Sequence, residues 1–376
     1  MTYWKRILLL SVLVISCIIQ HVSGFAISKP AFTRIRQSPC LDDSHCCQGQ
    51  RERHPRQRGT RTRTCTSLFA ATTNEGTLSV SRPDGNEYKL AYRIVRPMTL
   101  SSRQAAPVVV LHGGPSLPAD YLYPLEQAVE YRSLVFYDQI GCGRSDEPTD
   151  TVCYSIDMAL DDLEALLKKL GVRRFHLYGQ SFGGMLAYEY LKRRAERHFL
   201  YGNDTEPVCL SCILSSAPSS VKRIEETVDR LLDGLTLDDP AAFERSISLQ
   251  ERFRMTHQCR TPVSPQPLLD AYARAGTVWR GTDAVRSWEA TPAAATTSAA
   301  EAGGGGEGTA ASFMPSILML RGEHDFVTED CFSSWKDVLR GAKVRFRVLQ
   351  GCSHHGLLEN GSMYGEVLDS FFSEFD

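Results

Sequence analysis

Four short segments of this 376-residue chain, making three signals, carry side chains suited to acyl transfer. The first is Gly179-Gln180-Ser181-Phe182-Gly183-Gly184, which fits G-x-S-x-G and stands directly after an apolar run and before a helical pattern. A serine hydroxyl is a poor nucleophile at its own pKa and attacks a carbonyl only beside a base. A strained strand-to-helix turn lifts such a hydroxyl above the end of a sheet, and glycines flank it because larger side chains would strike neighbouring elements. Ser181 is therefore the expected nucleophile. The second segment is His112-Gly113-Gly114-Pro115. The tetrahedral intermediate of acyl transfer carries an oxyanion that needs two preorganised N–H donors, and the amides of Phe182 and Gly114 are the expected pair. The third signal is a carboxylate and a histidine late in the chain: Arg321-Gly322-Glu323-His324-Asp325 and Gly351-Cys352-Ser353-His354 each follow an apolar run. His354 would take the serine proton and return it to the leaving group, with Asp325 holding the imidazole tautomer. Glu323 is the alternative acid and His355 the alternative base. His112 is read as shaping its own loop, because serine, acid, base is the chain order that accompanies a strand–turn–helix nucleophile.

Such a site needs elements to hold it. Thr77–Ser81 and Tyr88–Val95, joined by Pro83-Asp84-Gly85-Asn86, read as a hairpin. Pro107–Leu111 and Ser133–Tyr137 read as buried strands, Phe175–Tyr178 as a short strand and Val208–Ser215 as an apolar one, and the sheet resumes at Ile317–Leu320 and Lys343–Leu349. Helical spacing marks Ile156–Leu170, closed by Gly171, together with Phe182–Arg194 and Ser362–Phe375. Strands alternating with helices imply βαβ units, a mostly parallel central sheet and helices on both faces. With the three motifs in this order the class is α/β, an α/β-hydrolase fold, carried by residues 71–218 and 313–376. Residues 219–290 break the alternation, with helices expected at Arg223–Leu235 and Pro240–Phe253, and read as a helical cap insertion. The Ala/Thr/Gly-rich stretch 291–312 reads as a flexible linker.

The formal net charge of -2 conceals an asymmetry. Residues 1–70 hold eleven Lys/Arg and three Asp/Glu, which leaves the body with a net charge of about -10. An acidic body disfavours nucleic acid as a partner. Lys5 and Arg6, the apolar run Ile7–Ile19 and Val22-Ser23-Gly24 fit a signal peptide over residues 1–24. The run is too short to span a bilayer. Residues 25–70, rich in Arg, Ser and Thr, suit a transit peptide. Together they resemble the bipartite leaders of plastid proteins in algae with secondary plastids; secretion with a disordered linker is the alternative. Of twelve cysteines, seven lie in the body at irregular spacing, which argues against a disulfide framework. Cys209-Leu-Ser-Cys212 sits inside an apolar run and reads as core rather than as a redox or zinc site.

His112-Gly113-Gly114-Pro115, Phe136-Tyr137-Asp138-Gln139-Ile140-Gly141-Cys142-Gly143-Arg144-Ser145 and Gly179–Gly184 together resemble the proline iminopeptidase family, over about Thr77 to Asp376. The resemblance implies release of an N-terminal proline, or another small residue, from short peptides, with no cofactor and no metal. It implies Ser181, Asp325 and His354 as the triad, and Gly114 and Phe182 as the oxyanion donors. The chain departs from the family where a glutamate usually follows the triad aspartate and helps hold the substrate's α-amino group: that place is Phe326. The family's second amino-binding glutamate, in the cap, has no counterpart around Trp279-Arg280-Gly281-Thr282-Asp283; Asp283 and Glu289 are the candidate substitutes, and nothing in the sequence selects either. These departures keep an esterase or amide hydrolase of small neutral substrates as the competing expectation.

Overall fold

Strands buried on both faces read as continuous apolar runs, and the helices that connect them must cover the sheet on either side. The computed structural model, described over residues 71–97, 105–201, 206–238, 247–293 and 310–376, follows that rule. Its strands are β1 (Thr72–Ser81), β2 (Glu87–Arg96), β3 (Val108–Leu111), β4 (Leu134–Tyr137), β5 (Arg174–Gln180), β6 (Val208–Ser215), β7 (Ser316–Gly322) and β8 (Val344–Leu349). They lie in the order β1-β2-β4-β3-β5-β6-β7-β8. Strand β2 runs antiparallel to both its neighbours, and every other pairing is parallel. The expected signal and transit segments lie outside the described residues.

Side chains alternate across the sheet with a period of two. Val109 and Leu111 of β3 therefore enter one apolar layer, with Leu163 and Leu167 of helix α1 (Ile156–Leu170) and Met185 and Leu186 of α2 (Phe182–Tyr201). Val108 and Val110 enter the opposite layer, with Leu368 and Phe372 of the last helix. Helix α1 is well specified at both ends. The Ser155 hydroxyl accepts the Met158 amide, Asp157 sits in the first turn and Lys168 and Lys169 in the last, and Gly171 closes the helix at φ 64°.

The cap insertion departs most from the expected elements. Helix α3 (Val221–Asp238) presents Val221, Ile224, Val228 and Leu232 inward at helical spacing. The helix expected at Pro240–Phe253 is instead a short α4, Leu249–Phe253, with Ser248 capping it, and residues 239–246 lie outside the described residues. It runs into a wide π-type turn, Arg254–Gln258, and α5 (Gln266–Ala273) follows. Of the expected linker, residues 294–309 lie outside the description, but its two ends pack. Ala293 and Ala310 are buried, Thr291 accepts a hydrogen bond from Tyr188, and the Phe313 ring just beyond it rests 4.7 Å from His198. The final helix, α6 (Gly361–Ser373), is capped by Asn360. Strand β1 begins five residues before the expected Thr77, because its exposed early residues pair with β2 and show no apolar alternation. Cys209 and Cys212 sit on β6 as free thiols, and burial pushes the Cys209 thiol up to about 12.

The hairpin is fastened to α1 by a buried ion pair. Arg82 reaches Asp162 through two nitrogens, one at 3.0 Å, and both side chains are about 5% exposed or less. Removing one partner of a buried pair strands the other, at a cost of about 3–5 kcal/mol. Asp162→Asn is expected to lower the melting temperature by about 10 °C, and Arg82→Met with Asp162→Leu to recover most of the loss. A thermal melt of Asp162→Asn that matches the wild type would show that the pair contributes nothing.

Candidate active site

The carboxyl end of the sheet collects the loops that the motifs occupy. Strand β5 ends at Gln180, α2 begins at Phe182, and Ser181 between them has φ 56°, the left-handed region that a side chain adopts only under constraint. The constraint is visible. The Ser181 amide donates to the Ser215 carbonyl of β6 at 2.8 Å. The first turn of α2 also sits so close to β3 that a Cβ at Gly183 would collide with the Leu111 carbonyl. The Phe182 amide is one of the orphan donors that open a helix.

The second loop supplies the other donor, and the structure discriminates between its two glycines. The Gly113 amide is spent on the Tyr121 hydroxyl at 2.7 Å, whereas the Gly114 amide makes no hydrogen bond among the described residues. Gly114 has φ 118°, and a Cβ there would press on the amides of Ser116 and Leu117. His112 lies beneath, fully buried. Its Nδ1 donates to the Gly113 carbonyl and its Nε2 accepts the Gln139 amide, each at 2.9 Å, and burial lowers its pKa. The Asp138 side chain accepts the Ala119 and Arg144 amides, and the Ser145 hydroxyl accepts from Ala91 while donating to the Asp138 carbonyl. The Phe136–Ser145 segment thus braces the glycine loop rather than lining the cavity.

His354 Nδ1 donates to Asp325 Oδ1 at 2.9 Å, in surroundings that leave the carboxylate 2% exposed. The same oxygen accepts the Val327 amide, also at 2.9 Å. Glu323 instead receives the Gly351 amide at the surface. Among the described residues His355 has no carboxylate partner: its ring stands edge-on to Tyr121, and burial together with His354 holds its pKa well below 6.5. Phe326 stacks on the His354 imidazole with ring centroids 4.0 Å apart. The backbone of the π-type turn grips this loop, since the carbonyls of His257 and Gln258 accept the amides of His354 and His355.

Ser181, His354, Gly114 and Phe182 all line one cavity of 170 Å³. No hydrogen bond joins Ser181 to His354 among the described residues; such contacts commonly close only when substrate arrives. Asp325 reaches the site through His354. Neither expected amino-group acceptor lines the cavity. Asp283 is exposed and pairs with Arg286, and Glu289 is exposed beside its bridge to Ser220. The cavity is lined instead by Glu225 of α3, whose Oε1 is buried without a hydrogen-bond partner. Sequence reasoning passed over Glu225, although its position between Ile224 and Val228, on an otherwise apolar stripe, is a signal. It also passed over Tyr121 and Gln180. The Tyr121 hydroxyl donates to Gln180 Oε1 at 2.6 Å, and Gln180 Nε2 donates to the His354 carbonyl at 3.2 Å.

Tyr121→Phe leaves the Gly113 amide and the Gln180 amide oxygen unsatisfied, a cost of about 1–3 kcal/mol. Steady-state kinetics are expected to show kcat reduced about tenfold with little change in KM, and an unaltered kcat would remove the hydroxyl from any positioning role. His112 and His355 are held neutral in the fold while the unfolded chain takes up protons below about pH 6.5. The unfolded state then binds more protons, so stability falls as pH drops from 6.5 toward 5. Melting temperatures across that range should decline in the wild type and decline less in His355→Gln.

The chain matches the alpha/beta hydrolase fold family over residues 106–361. The proline iminopeptidase of Saccharolobus solfataricus is 28% identical over 287 residues, covering 71% of this chain and 84% of the relative. That of Lactobacillus helveticus is 27% identical over 307 residues, covering 77% and 96%. Among solved structures, the proline iminopeptidase of Mycobacterium smegmatis superposes with a TM-score of 0.57 at 22% identity, covering 80% of this chain and 98% of that one. With its motifs on the loops at one end of a mostly parallel sheet, the chain is a hydrolase and belongs to the alpha/beta hydrolase fold family.

Proposed function

We propose that the protein is a serine aminopeptidase of the proline iminopeptidase type, which releases an N-terminal proline or another small residue from short peptides. The observation that carries the reading is the Asp325–His354 contact at the wall of the cavity that Ser181 also lines. With Nδ1 committed to Asp325, Nε2 of His354 is free to act as the base. Ser181 Oγ attacks the scissile carbonyl, His354 takes its proton, and the oxyanion is received by the Gly114 and Phe182 amides. The protonated imidazole then gives its proton to the leaving amine. Water, activated by the same imidazole, releases the acyl group from Ser181.

The cavity favours a small acyl group. Its volume is 170 Å³, and an apolar cavity of about 150 Å³ accepts benzene. A pyrrolidine ring is of that order. The resemblance to proline iminopeptidases supports the same choice. A second reading, hydrolysis of small neutral esters or amides, draws on Phe326, which presents a stacked ring where those relatives carry a carboxylate. The amino-terminal leader supports delivery to a plastid, with secretion as the alternative.

Activity-based labelling and substrate profiling separate these readings. A fluorophosphonate should label the wild type and leave Ser181→Ala unlabelled, with kcat lowered by at least ~10⁴-fold in that variant. Prolyl-arylamides should be cleaved, and N-acylated ones should not. Efficient turnover of acyl esters with prolyl substrates untouched would overturn the peptidase reading in favour of the esterase.

A further inference from the structure

The proposed hydrolysis leaves two charged side chains of the cavity without a task. Glu225 enters from the cap helix α3, flanked by Ile224 and by Val221 and Val228 one turn away, all of which line the same space. Its Oε1 is shielded from solvent and accepts no hydrogen bond. Arg280, in the segment after α5, lines the same cavity. Its backbone neighbour Trp279 is fixed against the glycine loop and the nucleophile turn: the Trp279 carbonyl accepts the Ser116 hydroxyl, and its indole meets the Phe182 ring edge-on at 5.6 Å. Arg280 forms no hydrogen bond or ion pair among the described residues, with Glu225 or with anything else.

A charge facing a largely apolar space is costly unless a partner of opposite sign meets it. Two such charges of opposite sign that line one cavity without pairing are satisfied together by a ligand that carries both signs. We propose that Glu225 and Arg280 read the two ends of a short unblocked peptide. Glu225 receives the α-ammonium and Arg280 the terminal carboxylate, so the substrates are zwitterionic peptides of two or three residues. This rests on the aminopeptidase reading above and adds to it a requirement at the carboxyl end. The guanidinium suits that end, because its planar fork matches a carboxylate. The carboxylate of Glu225 takes the place of the missing acid at Phe326, from a different element of the fold.

The test is a set of matched substrates: a Pro-X dipeptide, its carboxyl-terminal amide, its N-acetyl derivative and a prolyl-arylamide. With the wild type, amidation is expected to raise KM about tenfold and to leave kcat nearly unchanged, the loss of one charge-assisted bond. In Arg280→Gln the free dipeptide and its amide should have equal KM values, and Arg280→Lys should restore part of the difference. Glu225→Gln should raise KM for free-amine substrates about tenfold or more and narrow the gap to the N-acetyl compound. Melting temperatures identify any variant that has simply lost its fold, and the Arg280→Lys comparison then carries the test. Equal wild-type KM values for dipeptide and amide would overturn the proposal. So would an Arg280→Gln variant that weakens both alike, the signature of an internal contact with Glu225 made only during turnover. A wild type that cleaves neither the free dipeptide nor the prolyl-arylamide would instead refute the aminopeptidase reading.

Discussion

One run of hydrogen bonds holds the active end of the sheet together. It starts at the Gly113 amide, passes through the Tyr121 hydroxyl to the Gln180 side chain, and ends on the His354 carbonyl. Three loops remote in sequence are thereby fixed to one another by groups that are buried and have no water to fall back on. Each bond also removes an alternative. Because Tyr121 occupies the Gly113 amide, the donor left open is Gly114, and because Gln180 holds the backbone of His354, the imidazole is left to be aimed by the Asp325 carboxylate and the stacked Phe326 ring. The polar network acts less as a source of stability than as a jig that sets the spacing between hydroxyl, imidazole and amides.

The backbone around Ser181 depends on the same economy of space. A left-handed serine is tolerable only if the surrounding structure over-determines it. The Ser215 carbonyl and the contact of Gly183 with the end of β3 supply that determination. The apolar layers on both faces of the sheet keep these strand ends in register, so the core and the site are one construction.

Much of this was legible in the residues. Apolar runs marked strands β3 to β7, which are largely buried, whereas the edge strand β8 exposes Arg345, Phe346 and Arg347 and carries no such run; glycine spacing marked both loops that must approach a backbone closely. Other features were not legible, for definite reasons. The first four residues of β1 are solvent-exposed, the fifth, Gly76, is half-buried, and together they carry no periodic signal. Tyr121 is an ordinary aromatic in sequence, and only the fold brings its hydroxyl to Gln180. Asp283 and Glu289 were the nearest acids along the chain to the rewritten cap stretch, but proximity in sequence is a poor guide where helices fold back. Glu225, more than fifty residues earlier, is the carboxylate that arrives. The π-type turn at Arg254–Gln258 leaves no compositional trace at all, because its role is played by carbonyl groups.

That turn has a dynamic consequence. Its two carbonyls are bonded to the amides of His354 and His355, so the cavity wall that carries Gln258 and the segment that carries His354 are tied together at one place. Any shift of that wall is carried by two hydrogen bonds to the backbone of His354 and His355, so the seating of the cap and the placement of the imidazole move as one.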